Sequence, residues 1–210
     1  MKVLLVNGSP HKEGCTYTAL NEVSKILNQE DIETELFWIE NKPIAGCIGC
    51  GGCAQKGKCV YDDRVNVFVD LAESADGFLF GSPVHYASAV GNMISFMDRA
   101  FFSVHCAGKE TFYLKPAAAI VSARRAGTTA TLDQMNKYFL HAGMPIVPSR
   151  YWNMVHGSTP EEVFQDEEGL QIMRVLGRNM AWFLKLKEAG IKNGVAMPDK
   201  EQRISTNFIR

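Results

Sequence analysis

Four cysteines fall within thirteen residues, Cys47, Cys50, Cys53 and Cys59, in the spacing C-x2-C-x2-C-x5-C. Glycines at 46, 49, 51, 52 and 57 keep this run pliable. Three thiolates at three-residue intervals and a more distant fourth follow the way compact ferredoxin loops wrap a [4Fe–4S] cluster, although the last spacing is longer than the ferredoxin x3 and no proline follows. Zinc, which generally takes two separated C-x2-C pairs, comes second as a metal, and ahead of it stands the metal-free reading of free or disulfide-forming thiols. Cys15 and Cys106 stand apart and read as small apolar side chains. A redox role is open to Cys15 only if it is exposed at a helix start that stabilises its thiolate.

A second constellation lies near the amino terminus. Residues 7–18, NGSPHKEGCTYT, join an apolar run to a segment of helical period. Backbone N–H groups at a helix start, backed by its positive dipole end, can surround a dianion while Ser9, Thr16 and Thr18 add hydroxyl donors. No Gly-Lys-Ser/Thr follows, which excludes the Walker arrangement, and GxGxxG is absent. The loop therefore suits the one terminal phosphate of a mononucleotide better than a dinucleotide pyrophosphate. An ordinary capped strand-to-helix turn is the plainer alternative.

Two further loops offer a flat, part-polar lining. In GSPVHYAS (81–88), Pro83 stiffens the chain, Val84 and Ala87 are small enough to let a ligand approach, and His85 and Tyr86 present flat faces with polar tips. In SARRAGTT (122–129), Ser122 leads to the adjacent Arg124 and Arg125. An isoalloxazine ring is apolar along its dimethylbenzene edge and polar along its pyrimidine edge, so aromatic contact plus backbone N–H and C=O groups is the expected lining. The arginines would stabilise negative charge beside the pyrimidine side of a reduced flavin, or bind the phosphate of NADPH. The alternatives are packing at a loop base for His85 and Tyr86, and a solvated surface couple for the arginines.

Taken together, GSPHKEGCTYTAL, GSPVHYASAVGNMISFMDR and SARRAGTT resemble the three FMN-contacting segments of the flavodoxin-like NAD(P)H-dependent FMN reductases, especially the iron–sulfur flavoproteins. The likeness covers most of the chain and weakens after residue 158. It implies FMN bound by Ser9, His11, Thr16, Tyr17 and Thr18 at the phosphate, and by Pro83, Val84, His85, Tyr86 and Ala87 beside the ring. His11 stands where the family often carries Arg or Lys. The cysteine spacing is also similar to the compact motif of iron–sulfur flavoproteins, in which a [4Fe–4S] cluster exchanges electrons with FMN, often across a subunit interface. The resemblance implies an oxidoreductase that carries electrons from NAD(P)H or a reduced ferredoxin to a small acceptor such as a quinone or a dioxygen species. It also implies a homo-oligomer, a dimer or tetramer. Because the flavin supplies the redox chemistry, no catalytic acid or base is called for. The competing readings are an electron carrier without small-molecule turnover and a metal-binding redox sensor.

Holding these loops together requires a parallel α/β sheet. Apolar runs at 2–6, 32–39, 77–81 and 117–121, with a shorter one at 145–147, read as strands. Amphipathic stretches at 16–27, 64–74, 90–102, 131–142 and 161–189 read as helices, the last kinked or divided at Gly169 or Gly177. The alternation predicts a flavodoxin-like three-layer α/β sandwich with a five-stranded parallel sheet in the order 2-1-3-4-5, whose ligand crevice lies outside the strands' carboxyl ends. Residues 1–190 are expected to form the FMN-binding domain, with a cysteine-rich insertion at 44–60, and residues 191–210 an irregular tail.

Hydrophobic residues make up 46% and charged residues 21%, a globular composition with no apolar run long enough to span a bilayer. Met1 leads directly into Val3-Leu4-Leu5-Val6 without the marks of a signal peptide, which predicts a cytoplasmic protein whose cysteines stay reduced. A net charge of −1 provides no basic field for nucleic acid or a membrane surface, and no strongly acidic face of the kind that steers small electron carriers. The apolar stretch around Phe101 and Phe102 is a candidate subunit interface.

Overall fold

Apolar β-branched runs and amphipathic helical stretches alternate along the chain, and the computed structural model, which describes residues 1–199, 201–202 and 204–208, stacks them in three layers. β1 (Lys2–Asn7), α1 (Cys15–Gln29) and β2 (Glu33–Trp38) are followed by the cysteine-bearing segment with its short α2 (Gly52–Lys56). Then come α3 (Arg64–Ala72), β3 (Gly77–His85), β4 (Ser88–Ala89), α4 (Gly91–Cys106), β5 (Ala117–Ala123), α5 (Thr128–His141), β6 (Met154–His156), α6 (Pro160–Gln165) and α7 (Glu167–Lys192). The sheet order is β2-β1-β3-β5-β6, all parallel, with β4 folded antiparallel onto β3. Counting the parallel strands alone, this is the flavodoxin-like order 2-1-3-4-5.

The period of two along each central strand divides the core. Leu4, Val6, Phe78, Phe80, Ala117, Ala119 and Val121 face α3, α4 and α5, whereas Val3, Leu5, Leu79, Ala118 and Ile120 face α1 and α7. The first face holds eight buried phenylalanines. Phe68 lies 5.1–6.3 Å, centroid to centroid, from Phe37, Phe78, Phe80, Phe96 and Phe112. On the second face Leu20, Val23 and Leu27 of α1 meet Met173, Leu176 and Met180 of α7.

Three expectations need correcting. The fifth parallel strand is β6 rather than 145–147. The earlier segment makes one bridge, with Ala117 N–H donating to Pro145 O at 2.9 Å and Val147 N–H to Ala117 O at 2.9 Å. The chain then bows out, with Pro148 O accepting from Asn179 Nδ2 of α7 at 2.7 Å, before Val121 N–H takes up Asn153 O at 3.0 Å and Met154–His156 rejoins β5. The last helical stretch divides at Asp166, not at a glycine. The Asp166 carboxylate accepts from Gly169 N–H at 2.9 Å and so caps a new helix there. Gly177 instead lets α1 and α7 approach, since a Cβ on it would lie 2.8 Å from Ile26 Cβ. Finally, 82–85 belong to β3 rather than to a loop.

Gly177→Val is expected to lower stability by about 1–3 kcal/mol through overpacking at the α1–α7 contact. A urea unfolding midpoint unchanged from the parent would contradict this account of the contact.

Candidate functional site

The loop leaving β1 is held by a close backbone approach. Gly8 N–H donates to Gly81 O at 2.8 Å, and a Cβ on Gly8 would lie 2.7 Å from Met93 Sδ and 2.8 Å from that same oxygen. A Cβ on Gly81 would lie 2.7 Å from Thr16 Cγ2, so only glycine at both positions brings α1 this near the ends of β1 and β3. Asn7 Oδ1 accepts from Ser9 N–H at 3.0 Å, and Asn7 Nδ2 donates to Lys12 O at 2.9 Å. Trp38 Nε1, from β2, donates to Ser9 O at 2.8 Å.

α1 opens after Gly14 with no side-chain cap and no acidic residue in its first turn. α4 and α5 open the same way, whereas α3, α6 and α7 are capped by Asp63, Thr159 and Asp166. The first amides of α1 thus remain available to an anion, with the dipole end behind them. Ser9 is buried and its Oγ accepts from His11 N–H at 3.1 Å, which leaves its own proton for another acceptor. The Thr16 hydroxyl is buried in a 2.8 Å bond with that of Ser122, tying the first loop to β5, and the Thr18 hydroxyl donates to Gly14 O at 3.3 Å. His11 is exposed and Tyr17 half-buried at the same helix start. Cys15 donates to Gly157 O at 3.6 Å, and burial pushes its thiol up from the ordinary value, so the helix start does not give it a stabilised thiolate.

The predicted ring loop is a hairpin. β3 runs through Pro83 to Val84 and His85, turns at Tyr86 and Ala87, and pairs back through Ser88 and Ala89. Both turn residues are left-handed, at φ +51° and +56°, a two-residue type I′ geometry that ordinarily calls for Asn-Gly. Tyr86 stands fully exposed at the tip. Such strain persists only where its surroundings over-determine it. Gln134 Oε1 of α5 accepts from both Ser88 Oγ and Ala89 N–H at 2.9 Å, while Ser82 Oγ accepts from Val90 N–H at 3.1 Å. Gly127, at φ +92°, sits where a Cβ would be 2.8 Å from Ala87 Cα.

The hairpin and the loop after β5 enclose one open cleft of about 400 Å³, lined by Val84, Tyr86 and Ala87 on one side and by Arg124, Arg125 and Gly127 on the other. Both arginines are exposed. The volume is ordinary for a small-molecule site. All three predicted loops therefore meet at the carboxyl edge of the sheet.

The four motif cysteines line a separate cavity of about 20 Å³ together with Tyr61, Arg99 and Phe102. Cys47 and Cys50 are exposed, Cys59 is half-buried and Cys53 is buried. Gly49, Gly51 and Gly57 all have positive φ, which is what lets so short a run fold back on itself. Among the described residues, no three His, Cys, Asp or Glu side chains converge closely enough to hold one metal ion. Burial pushes the Cys53 thiol up, and neighbouring Cys106 adds to the effect, so Cys106 does not stand apart as its sequence position implies.

Several positioning residues escaped the sequence reading. Asn66 of α3 brackets Cys59, accepting from its N–H at 3.1 Å and donating to its carbonyl at 3.0 Å. Asn92 of α4 holds the start of the insertion through Ile44 N–H and Lys42 O. Arg99 of α4 is buried and paired with Asp63. Burial works against its charge, but the hydrogen bonds and charges of Asp63 and Cys59 together hold its pKa above the ordinary arginine value. A signal for Arg99 did exist: it interrupts the apolar stripe formed by Met93, Phe96, Met97 and Ala100. Trp38 and Gln134 had none, because their partners lie far away in sequence, and Asn66 had none because its partners five and seven residues back are backbone groups of an irregular loop.

This sheet order and its carboxyl-edge cleft define a flavodoxin-like α/β fold. The profile of the NADPH-dependent FMN reductases matches residues 1–159, and the chain belongs to that family. It is accordingly an FMN-binding oxidoreductase by class. An iron–sulfur flavoprotein of Methanocaldococcus jannaschii is 30% identical over 191 residues, which span 89% of this chain and 98% of that protein. One from Methanosarcina thermophila is 23% identical over 190 residues, 89% and 96% of the two chains. Among solved structures, the flavoenzyme NAD(P)H:(acceptor) oxidoreductase FerB of Paracoccus denitrificans superposes with a TM-score of 0.65 at 16% identity, covering 88% of this chain and 97% of its own. No helix among the described residues is long and apolar enough to cross a membrane.

Replacing Tyr86 with Asn and Ala87 with Gly together should stabilise the flavin-free protein by about 1 kcal/mol or more, because both positive-φ positions would relax. Chemical denaturation of the flavin-free protein checks this, and a loss of stability would refute the strained-turn geometry.

Proposed function

We propose that this protein is an FMN oxidoreductase that also carries a [4Fe–4S] cluster on Cys47, Cys50, Cys53 and Cys59. In this reading it takes electrons from NAD(P)H or a reduced ferredoxin and delivers them to a small acceptor such as a quinone or a dioxygen species. The observation that carries it is the convergence of the uncapped α1 amides, the strained hairpin and the arginine loop on one sheet edge, with all four motif thiols gathered in the same chain.

Bound FMN supplies hydride acceptance and its release as single electrons. The chain's part is binding and orientation. The first amides of α1 and the Ser9 hydroxyl hold the phosphate, with Thr16, Thr18, Tyr17 and His11 around them. Pro83, Val84, His85, Tyr86 and Ala87 set one wall for the ring. Ser122, through Thr16, keeps the phosphate loop in register with β5. Arg124 and Arg125, exposed at the cleft rim, meet either negative charge on the ring's pyrimidine edge or the phosphate of NADPH.

The cysteine cavity fits a cubane by its chemistry. Its donors are thiols on a pliable glycine-rich run, beside the buried Arg99, whose charge Asp63 balances and whose Nε–H reaches Cys59 Sγ. Four cysteines lining one space are the donor set of a [4Fe–4S] cluster, and their spacing is not the two separated C-x2-C pairs that zinc generally takes. Its small volume requires the exposed turn carrying Cys47 and Cys50 to move outward on loading.

A cytoplasmic setting, where thiols stay reduced, accords with the six free cysteines. A homo-oligomer, dimer or tetramer, in which a second copy covers the exposed Phe102 and the groove of about 430 Å³ between α4 and α5, completes the reading.

An anaerobic absorption spectrum of the purified protein should show flavin bands over a broad cluster absorbance, with iron and acid-labile sulfide in equal amounts. Flavin bands without iron would remove the cluster, and no affinity for FMN would remove the whole reading. Arg124→Ala combined with Arg125→Ala should raise the KM for NADPH by about tenfold or more while FMN content stays at the parent level. An unchanged KM would take the arginines out of co-substrate binding. Steady NAD(P)H oxidation with a quinone separates an enzyme from a carrier, which would show none.

A further inference from the structure

Arg99 heads the fully buried side chains by size, and its guanidinium ends at the cavity of the four cysteines. Nη1 donates to Asp63 Oδ2 at 2.6 Å and to Ala45 O at 3.4 Å, and Nη2 donates to Asp63 Oδ1 at 2.9 Å and to Tyr61 O at 3.2 Å. The guanidinium carbon lies 4.9 Å from the centre of the Tyr61 ring. The remaining direction, Nε–H, points at Cys59 Sγ, 3.2 Å away.

Burying a guanidinium costs several kcal/mol unless its charge is balanced and its donors are used. Asp63 and the two carbonyls meet that need without the sulfur. A neutral thiol is a weak acceptor, whereas sulfur carrying negative charge accepts strongly from a cation. A buried, fixed donor aimed at Cys59 is therefore matched to a charged ligand sulfur and not to a resting thiol.

Resting on the cluster reading above, we infer that Arg99 is a positioning residue that fixes Cys59 as a ligand and raises the reduction potential of the cluster. Hydrogen bonds to ligand sulfur favour the more negative, reduced state. Asp63 opposes this only partly, since its carboxylate is about one third exposed and screened by water while the Arg99 side chain is buried. Arg99 comes from α4, the helix whose Met93 packs beneath Gly8 and whose Asn92 holds Lys42 and Ile44, so one rigid element sets both the cysteine site and the phosphate loop.

The test compares anaerobically reconstituted parent, Arg99→Gln and Arg99→Lys proteins by redox titration followed through the electron paramagnetic resonance of the reduced cluster. Arg99→Gln should shift the midpoint to more negative potential with FMN content retained. Arg99→Lys keeps the charge but cannot reach Asp63 and Cys59 at once, and should fall between the two. Coincident midpoints for parent and Arg99→Gln would overturn the inference while leaving the cluster intact. If Arg99→Gln fails to fold or to load, parent protein labelled with 15N-arginine decides the matter: pulsed resonance of the reduced cluster should show coupling to a nearby arginine nitrogen, and its absence overturns the inference. A parent protein that takes up no iron and sulfide overturns the cluster reading itself, and this inference with it.

Discussion

The contact on which the rest depends is the meeting of two backbones at Gly8 and Gly81. A single N–H···O bond of 2.8 Å there closes the gap between the ends of β1 and β3, and any Cβ at either position would strike Met93, Thr16 or the carbonyl itself. With that gap closed, α1 begins at the sheet edge with no side chain capping its first amides. Parallel strands all end their carboxyl termini at this edge, which makes it the place where one ligand can touch three loops at once.

The edge is otherwise unusual in how little of its rigidity is local. The Tyr86-Ala87 turn has no residue that favours its own backbone, yet Gln134 from α5, Ser82 from β3 and the missing side chain of Gly127 hold it in place. The Thr16–Ser122 pair does the same for the phosphate loop and β5. A site assembled from long-range constraints can hold a flat ligand without relaxing around it, at some cost in stability that the phenylalanine core offsets.

α4 joins the two halves of the site. Its apolar stripe builds the core, its first turn supports the glycine contact and the insertion, and its single buried charge reaches the cysteines. The cysteine segment has almost no core of its own: Ile44 and Cys53 are its buried members, and the remainder is held by Asn66, Asn92 and Arg99. Its geometry is borrowed from helices packed for other reasons.

The sequence by itself determined the layer architecture, the parallel strand order and the three loops at the ligand edge, because those follow from short-range periodicity and from glycine and hydroxyl content at strand ends. It also determined the cysteine set, because the spacing is local. Tertiary structure alone decided that 154–156 and not 145–147 completes the sheet, since both segments reach β5 and only the packed chain sets which of them keeps a register with it. It alone decided that Tyr86 and Ala87 form a type I′ turn, since nothing in that pair prefers positive φ. It alone joined Arg99 to Cys59, forty positions away, because the energy of a buried charge depends on partners that only the packed helices bring within reach.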